Sequence, residues 1–171
     1  MDKKIVIING SGGVGKDSFI EFCNNFVCTE NISSIDKVKQ VATVLGWDGG
    51  KTEKDRLFLS NLKLLWDKYN GGSNAYLADG ICNFIRGRKE LLFIHIREPR
   101  NIELLKLNFE CETLLIESSR VEKISSNMAD ANVDKYEYDH VIHNDSDLDG
   151  LRRAAALFVS HLFSSREKPT L

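Results

Sequence analysis

The sequence predicts a parallel α/β sheet with helices on both faces. Three observations predict it. Short apolar runs that suit central strands recur at residues 4–8, 91–96 and 113–116. Between them lie stretches whose apolar residues repeat at three- and four-residue spacing, the period of an amphipathic helix. The first strand also runs into a glycine-rich turn and then directly into one of those helices. Strands that alternate with helices are joined by crossovers, and crossovers make a parallel sheet.

The elements follow in order. Ile5, Val6, Ile7 and Ile8 form one apolar run, as in a strand buried on both faces. After the glycine turn, Phe19, Phe22, Cys23 and Phe26 make a single helical stripe. Residues 31–36 form a short second strand, and residues 38–45 a helix ended by Gly46. Trp47, Asp48, Gly49 and Gly50 are a turn. Thr52 caps the next helix, with Asp55 three residues on; Phe58, Leu62, Leu65 and Tyr69 are expected on one face. Asn70, Gly71 and Gly72 break that helix, and residues 75–85 form another, with Arg86 and Arg88 at its cation-favouring end. Residues 91–96 are a strand, which Pro99 keeps from continuing. Residues 102–109 are a short helix and 113–116 a further strand. Residues 117–138 are polar, weakly periodic and long for a loop, which reads as a lid. Residues 139–143 are the last strand, and Leu151, Ala155, Phe158, Val159 and Leu162 mark the closing helix. The tail after Ser164 is expected to fray.

Size and composition suit one packed domain, residues 1–171. Hydrophobic residues make up 42% and charged residues 28% of the 171. The net charge of −2 gives no positive field for polymeric nucleic acid. The apolar stretch near the N-terminus is too short for a signal peptide or a membrane span, so the expectation is a cytoplasmic protein with no membrane partner. Cys23, Cys28, Cys82 and Cys111 form no CxxC pair and read as reduced structural thiols. His95, His140, His143 and His161 fall in no metal motif.

In a parallel sheet, ligands gather beyond the carboxyl ends of the strands. Gly10 to Lys16, Asp36, Arg97, Glu117 to Arg120 and Asn144 all follow strands and should converge on one rim. The run Gly10-Ser11-Gly12-Gly13-Val14-Gly15-Lys16 satisfies GxxxxGK. Its glycines let successive backbone N–H groups curl toward one anion, and the helix N-terminus adds partial positive charge. With its strand before and helix after, this is a P-loop. Ser11, Gly12, Gly13, Val14, Gly15, Lys16, Asp17 and Ser18 would hold the phosphates of ATP, with Lys16 on the outer ones. The Ser/Thr that usually follows the lysine and ligates Mg²⁺ is Asp17 here, followed by Ser18. Asp17 is either a carboxylate ligand for Mg²⁺ or a favourable acid in the first helical turn, with Ser18 or water completing the metal shell. No NKxD motif supports a GTPase, and the size fits a kinase of a small molecule.

Gly15-Lys16-Asp17 with Ser18-Phe19 resembles the P-loop of the deoxynucleoside monophosphate kinases of phages and bacteria, and of the related phosphomevalonate kinases of animals. Asp36-Lys37-Val38-Lys39, then Leu45-Gly46-Trp47-Asp48 and Lys54-Asp55-Arg56, resembles that family's ADPLK…LFGWD…KDR series. Ile96-Arg97-Glu98-Pro99 is similar to its VRFPNE-type motif. The resemblance implies a nucleoside monophosphate kinase-like fold, with an acceptor-binding helical region at about residues 37–90 and a lid at about 117–138. It implies transfer of the γ-phosphoryl of ATP, with Mg²⁺, to a nucleoside or deoxynucleoside monophosphate, and small-molecule nucleotides as partners. Asp36, Lys39 and Arg56 would serve the acceptor; Asp36 could equally cap the following helix. Arg97 would contact the acceptor phosphate and Arg120 would contact ATP, which makes Lys16, Arg97 and Arg120 the catalytic set. Two features depart from the family pattern. His95 stands where many relatives have an acid, and Arg120 is the only arginine between Arg100 and Arg152, leaving Lys123 as a substitute cation. These keep two other readings open: a kinase for another small phosphorylated acceptor, and a nucleotide-binding protein without transfer activity.

Overall fold

A computed structural model describes residues 2–121 and 136–164. The elements are β1 (Lys4–Asn9), α1 (Lys16–Cys23), β2 (Thr29–Ser33), α2 (Asp36–Val44), α3 (Glu53–Asn70), α4 (Gly72–Arg86), β3 (Leu91–His95), α5 (Pro99–Asn108), β4 (Cys111–Glu117), β5 (His140–His143) and α6 (Leu148–Ser164). The strands form one five-stranded sheet in the order β2-β3-β1-β4-β5, and every pairing is parallel. This is the α/β sheet with flanking helices that the sequence predicts. Most of the expected lid, with Lys123, lies outside the described residues, as does the tail beyond 164.

Side chains alternate across β1, so its apolar run feeds two cores. Val6 and Ile8 join Phe19, Cys23, Phe93, Leu114, Phe158 and Leu162 under α1 and α6. Ile5 and Ile7 join Leu77, Ile81, Phe84, Ile94 and Ile102 under α4 and α5. Phe19 links the layers of the first core, meeting Phe93 edge-on at 6.4 Å and Phe158 at 5.6 Å between ring centroids. Each such fully buried side chain contributes about 1.5–3 kcal/mol of transfer free energy. Burial of β1, β3 and β4 on both faces fixes the strand ends, and therefore the rim.

The structure corrects several boundaries. The first helix ends at Cys23, so Phe26 is not on its stripe and is 50% exposed. Asn24 ends the helix because its side chain accepts from both Thr29 N–H and Thr29 Oγ1, which turns the chain into β2. That strand starts and stops earlier than expected, because the Asp36 carboxylate accepts the Ser33 N–H at 2.7 Å and opens α2 instead. In α3, Thr52 and Asp55 form the expected capping box. The expected apolar face holds at its first half only: Phe58 and Leu62, with Leu59 and Trp66, pack on Val38, Ala42 and Trp47, while Leu65 and Tyr69 are 66% and 85% exposed. The helix carries leucines on two faces, and periodicity alone does not choose between them. The fourth helix begins three residues earlier than expected, at Gly72. Pro99 does not merely end β3; it is the first residue of α5, where its missing N–H has no intrahelical partner to lose.

Candidate active site

The loop after β1 is shaped by three glycines with positive φ: Gly10 at 141°, Gly13 at 85° and Gly15 at 96°. Two of them are also places of close approach. A Cβ on Gly10 would lie 2.2 Å from the Ile116 carbonyl oxygen, and one on Gly15 would lie 2.6 Å from Asn144 Nδ2. Only glycine combines that backbone with that proximity. Val14 is buried in the core and pins the loop from beneath. Gly15 is the N-cap of α1 and no side chain caps the helix, so its first-turn N–H groups are open to an anion. Lys16 folds back over the loop, its Nζ donating to the carbonyls of Gly10 at 2.7 Å and Ser11 at 2.8 Å. The ammonium is thus held over the mouth of the N–H cradle. Asp17 is exposed in the first turn of α1, and Ser18 beside it is half-buried.

The rim beside this loop gathers several of the residues singled out from the sequence. His95 ends β3, next to β1, and is largely buried. Burial, then the nearby charge of Lys16, lowers its pKa to about 4; Asp17 and Asp36 pull the other way, and Arg97 adds to the lowering. One imidazole therefore feels Lys16, Asp17, Asp36 and Arg97 together, and it is neutral near pH 7. Asp36 starts α2 and holds the end of β2 through Ser33. Its charge also pushes the Tyr76 hydroxyl upward, after burial of that residue, and Lys37 lies over the Tyr76 ring at 5.9 Å. Arg97 is half-buried immediately after the strand. Lys39 and Arg56 are exposed on α2 and α3, outside this cluster.

On the other side of the loop, the segments after β4 and β5 are tied together. Asn144 Nδ2 donates to the Val14 carbonyl at 2.9 Å, so it braces the glycine loop directly. Arg120 donates to the carbonyls of Asn144 at 2.9 Å and Ser146 at 2.7 Å. Asp145 accepts from Ser119 N–H and Ser119 Oγ, which holds its carboxyl below the ordinary range. A cleft runs between this knot and the loop, lined by Gly10, Val14, Ile116, Glu117 and Ser118.

Two features of this rim have no signature in the sequence. Lys63 is an ordinary-looking lysine of α3, yet it donates to Glu98 at 2.8 Å and to Asp67 at 3.1 Å. Burial alone would lower the Lys63 pKa, but the hydrogen bond and charge of Glu98, then Asp67, hold it above its usual value. Glu98 is thereby committed to an ion pair. Asn144 appears in the sequence only as a residue after a strand; its bond to Val14 spans 130 positions.

A metal ion on this rim would find hard oxygens at Asp17 and Ser18. Among the described residues no group of three or more His, Cys, Asp or Glu side chains could form a cage. That donor set fits Mg²⁺, which commonly takes one or two protein oxygens and completes its shell with phosphates and water.

No family model and no curated protein match the chain. Among solved structures it is similar to an unliganded sugar kinase from a Janibacter species, with a TM-score of 0.54 and 15% identity over 94% of this chain and 95% of that one. It is also similar to shikimate kinase from Aquifex aeolicus, with a TM-score of 0.51 and 8% identity over 94% and 99% of the two chains. Shikimate kinase from Acinetobacter baumannii, in complex with shikimate, gives a TM-score of 0.51 and 11% identity over 98% and 97%. With its parallel sheet and its glycine loop between β1 and α1, the chain has an α/β P-loop fold like that of these structural neighbours.

Proposed function

We propose that this protein transfers the γ-phosphoryl group of ATP to a nucleoside or deoxynucleoside monophosphate. The observation that supports the reading is the glycine loop between β1 and α1, which leaves the first-turn N–H groups of α1 uncapped and carries the Lys16 ammonium on the carbonyls of Gly10 and Ser11. Residues 11–18 cradle the donor phosphates with backbone N–H groups and the Lys16 ammonium. An arriving phosphate competes for the two carbonyl contacts that Lys16 now makes. Asp17 and Ser18 would hold Mg²⁺, which supplies charge neutralisation on the β- and γ-oxygens. An oxygen of the acceptor phosphate attacks the γ-phosphorus, the bond to the bridging oxygen breaks, and ADP leaves. That acceptor oxygen is already anionic, so no general base is required. Arg97 orients the acceptor phosphate with its planar fork, and Asp36, Lys39 and Arg56 contact the rest of the acceptor. Arg120, which lies beside the cleft, serves the ATP side.

A second reading has one observation in its favour. A neutral imidazole at His95 can accept a hydrogen bond from an acceptor hydroxyl and so orient it. That favours a small hydroxylated acceptor, as the names of the sugar and shikimate kinases state for those proteins. One screen separates the two. ADP release is measured with ATP and Mg²⁺ against all common ribo- and deoxyribonucleoside monophosphates, and against a panel of polyols and sugars. Turnover with a monophosphate supports the proposal. Turnover with polyols or sugars alone would replace it, and ATP binding with no turnover on either panel would leave a nucleotide-binding protein without transfer activity.

A further inference from the structure

The outer face of α3 carries exposed leucines among its polar residues. Leu57 is 62% exposed and Leu64 50% exposed, although the inner face of the same helix is already packed on α2. The two leucines are seven residues apart and so lie above one another on one stripe. Glu53 and Lys68, both exposed, extend the stripe at either end, and Ser60 and Asn61 occupy its middle. Spacings of four, three and four along Glu53, Leu57, Ser60 and Leu64 are those of a helix–helix seam. Leu65, at 66% exposed, widens its apolar edge.

We propose that α3 pairs with α3 of a second copy of this chain, antiparallel, about a two-fold axis that crosses the helix between Ser60 and Asn61. In that arrangement Leu57 faces the second copy's Leu64, and Leu64 faces its Leu57. Glu53 faces the second copy's Lys68, and Lys68 faces its Glu53. The stripe is therefore self-complementary in both shape and charge, as an isologous interface must be. A parallel pairing would set Glu53 against Glu53 and Lys68 against Lys68, and each like pair is repulsive. The 18-residue helix is long enough to carry the whole seam. Arg56, three residues after Glu53 and four before Ser60, borders the seam, while Lys63 turns away from it and reaches inward to Glu98. Interfaces of one helix pair are at the small end of the stable range, so the dimer should dissociate on dilution.

Sedimentation equilibrium of the full chain tests this, with circular dichroism as the control for folding. The wild type is expected to show a concentration-dependent monomer–dimer equilibrium. Glu53→Lys and Lys68→Glu should each weaken it by about tenfold or more, because the two-fold axis doubles every like-charge contact. Glu53→Lys combined with Lys68→Glu should restore it, since the charges then face each other again with signs exchanged. Leu57→Glu with Leu64→Glu should give a folded monomer. A wild type that stays monomeric up to about 100 μM, a range reached by even weak specific complexes, would overturn the proposal. So would a dimer indifferent to all four variants, or one that both single charge changes disrupt and the double change fails to restore.

Discussion

Lys63 Nζ donates to Glu98 Oε1 at 2.8 Å, joining the middle of α3 to the residue between Arg97 and Pro99. The lysine side chain is only 12% exposed, and the second carboxylate oxygen of Glu98 is buried with no hydrogen-bond partner among the described residues. The pair therefore fixes how far the helical region between β2 and β3 stands from the Arg97 segment. Removing the lysine would strand a carboxylate that cannot turn freely to water.

Lys63→Met keeps the length of the stem and deletes the charge. It should destabilise the fold by about 1–3 kcal/mol, less than a fully buried pair because Glu98 is partly exposed. Glu98→Gln in the same background should recover part of that loss, since a neutral amide tolerates the vacated place better. Urea unfolding of the two single variants and the double variant measures the coupling. Additive losses would mean that the two side chains do not act as a pair.

His95 makes a pH prediction of definite sign. Its pKa in the fold is about 4, below the ordinary value of 6.5, so the unfolded chain binds the proton more readily than the native one. Stability from this residue is complete above the unfolded value and is lost as pH falls from about 6.5 toward about 4. At pH 5 the loss is about 2 kcal/mol relative to neutral pH. His95→Gln, which does not titrate, should show a flatter fall in urea midpoint between pH 7 and pH 5. The lowered carboxyl groups of Asp55, Asp67, Asp139 and Asp145 lose their contribution below the ordinary aspartate value of 3.8, below this window. An equal slope in wild type and variant would contradict the assigned environment.

Asp17→Asn discriminates the two roles that its position allows. If the carboxylate holds Mg²⁺, the metal concentration for half-maximal activity should rise on the order of tenfold, because an amide oxygen is a weaker ligand for a hard cation. Superimposable Mg²⁺ titrations would leave Asp17 as a favourable acid at the start of α1, a contribution of about 0.3–1 kcal/mol.

Much of the fold was legible because it rests on local patterns. The apolar run of β1, the glycines of the turn and the stripe Leu151, Ala155, Phe158, Val159 and Leu162 each determine an element without help from distant residues. The glycine loop between β1 and α1 was legible for the same reason. What escaped the sequence depends on pairs far apart in the chain. Lys63 with Glu98 and Asn144 with Val14 carry no local mark, because any exposed-looking lysine or strand-end asparagine reads the same. The inner face of α3 was read only in part, with Phe58 and Leu62 but not Leu59 or Trp66, because its leucines occupy two sides and α2 and Trp47 decide which side is covered. The shorter first helix escaped because Asn24 reaches forward to Thr29, a contact that periodicity does not see.

Arg97→Lys tests the acceptor side separately from the donor side. Lysine keeps the charge but cannot make two parallel hydrogen bonds to a phosphate. Turnover with the monophosphate should fall by about 10–10²-fold through loss of orientation, while ATP affinity measured alone changes little. Equal losses in both would assign Arg97 to the donor site or to the fold.

The most direct measurement is calorimetric titration of ATP, with Mg²⁺ present, into wild type and Lys16→Ala. Lys16 lies over the loop mouth, where its Nζ donates to the Gly10 and Ser11 carbonyls, and the variant should melt within a few degrees of wild type. Wild type should bind ATP, and the variant should bind it on the order of 10²-fold more weakly, since a charged contact to the outer phosphates is lost. A wild type that does not bind ATP, or a folded variant that binds it equally well, would contradict the assignment of this loop as the triphosphate site.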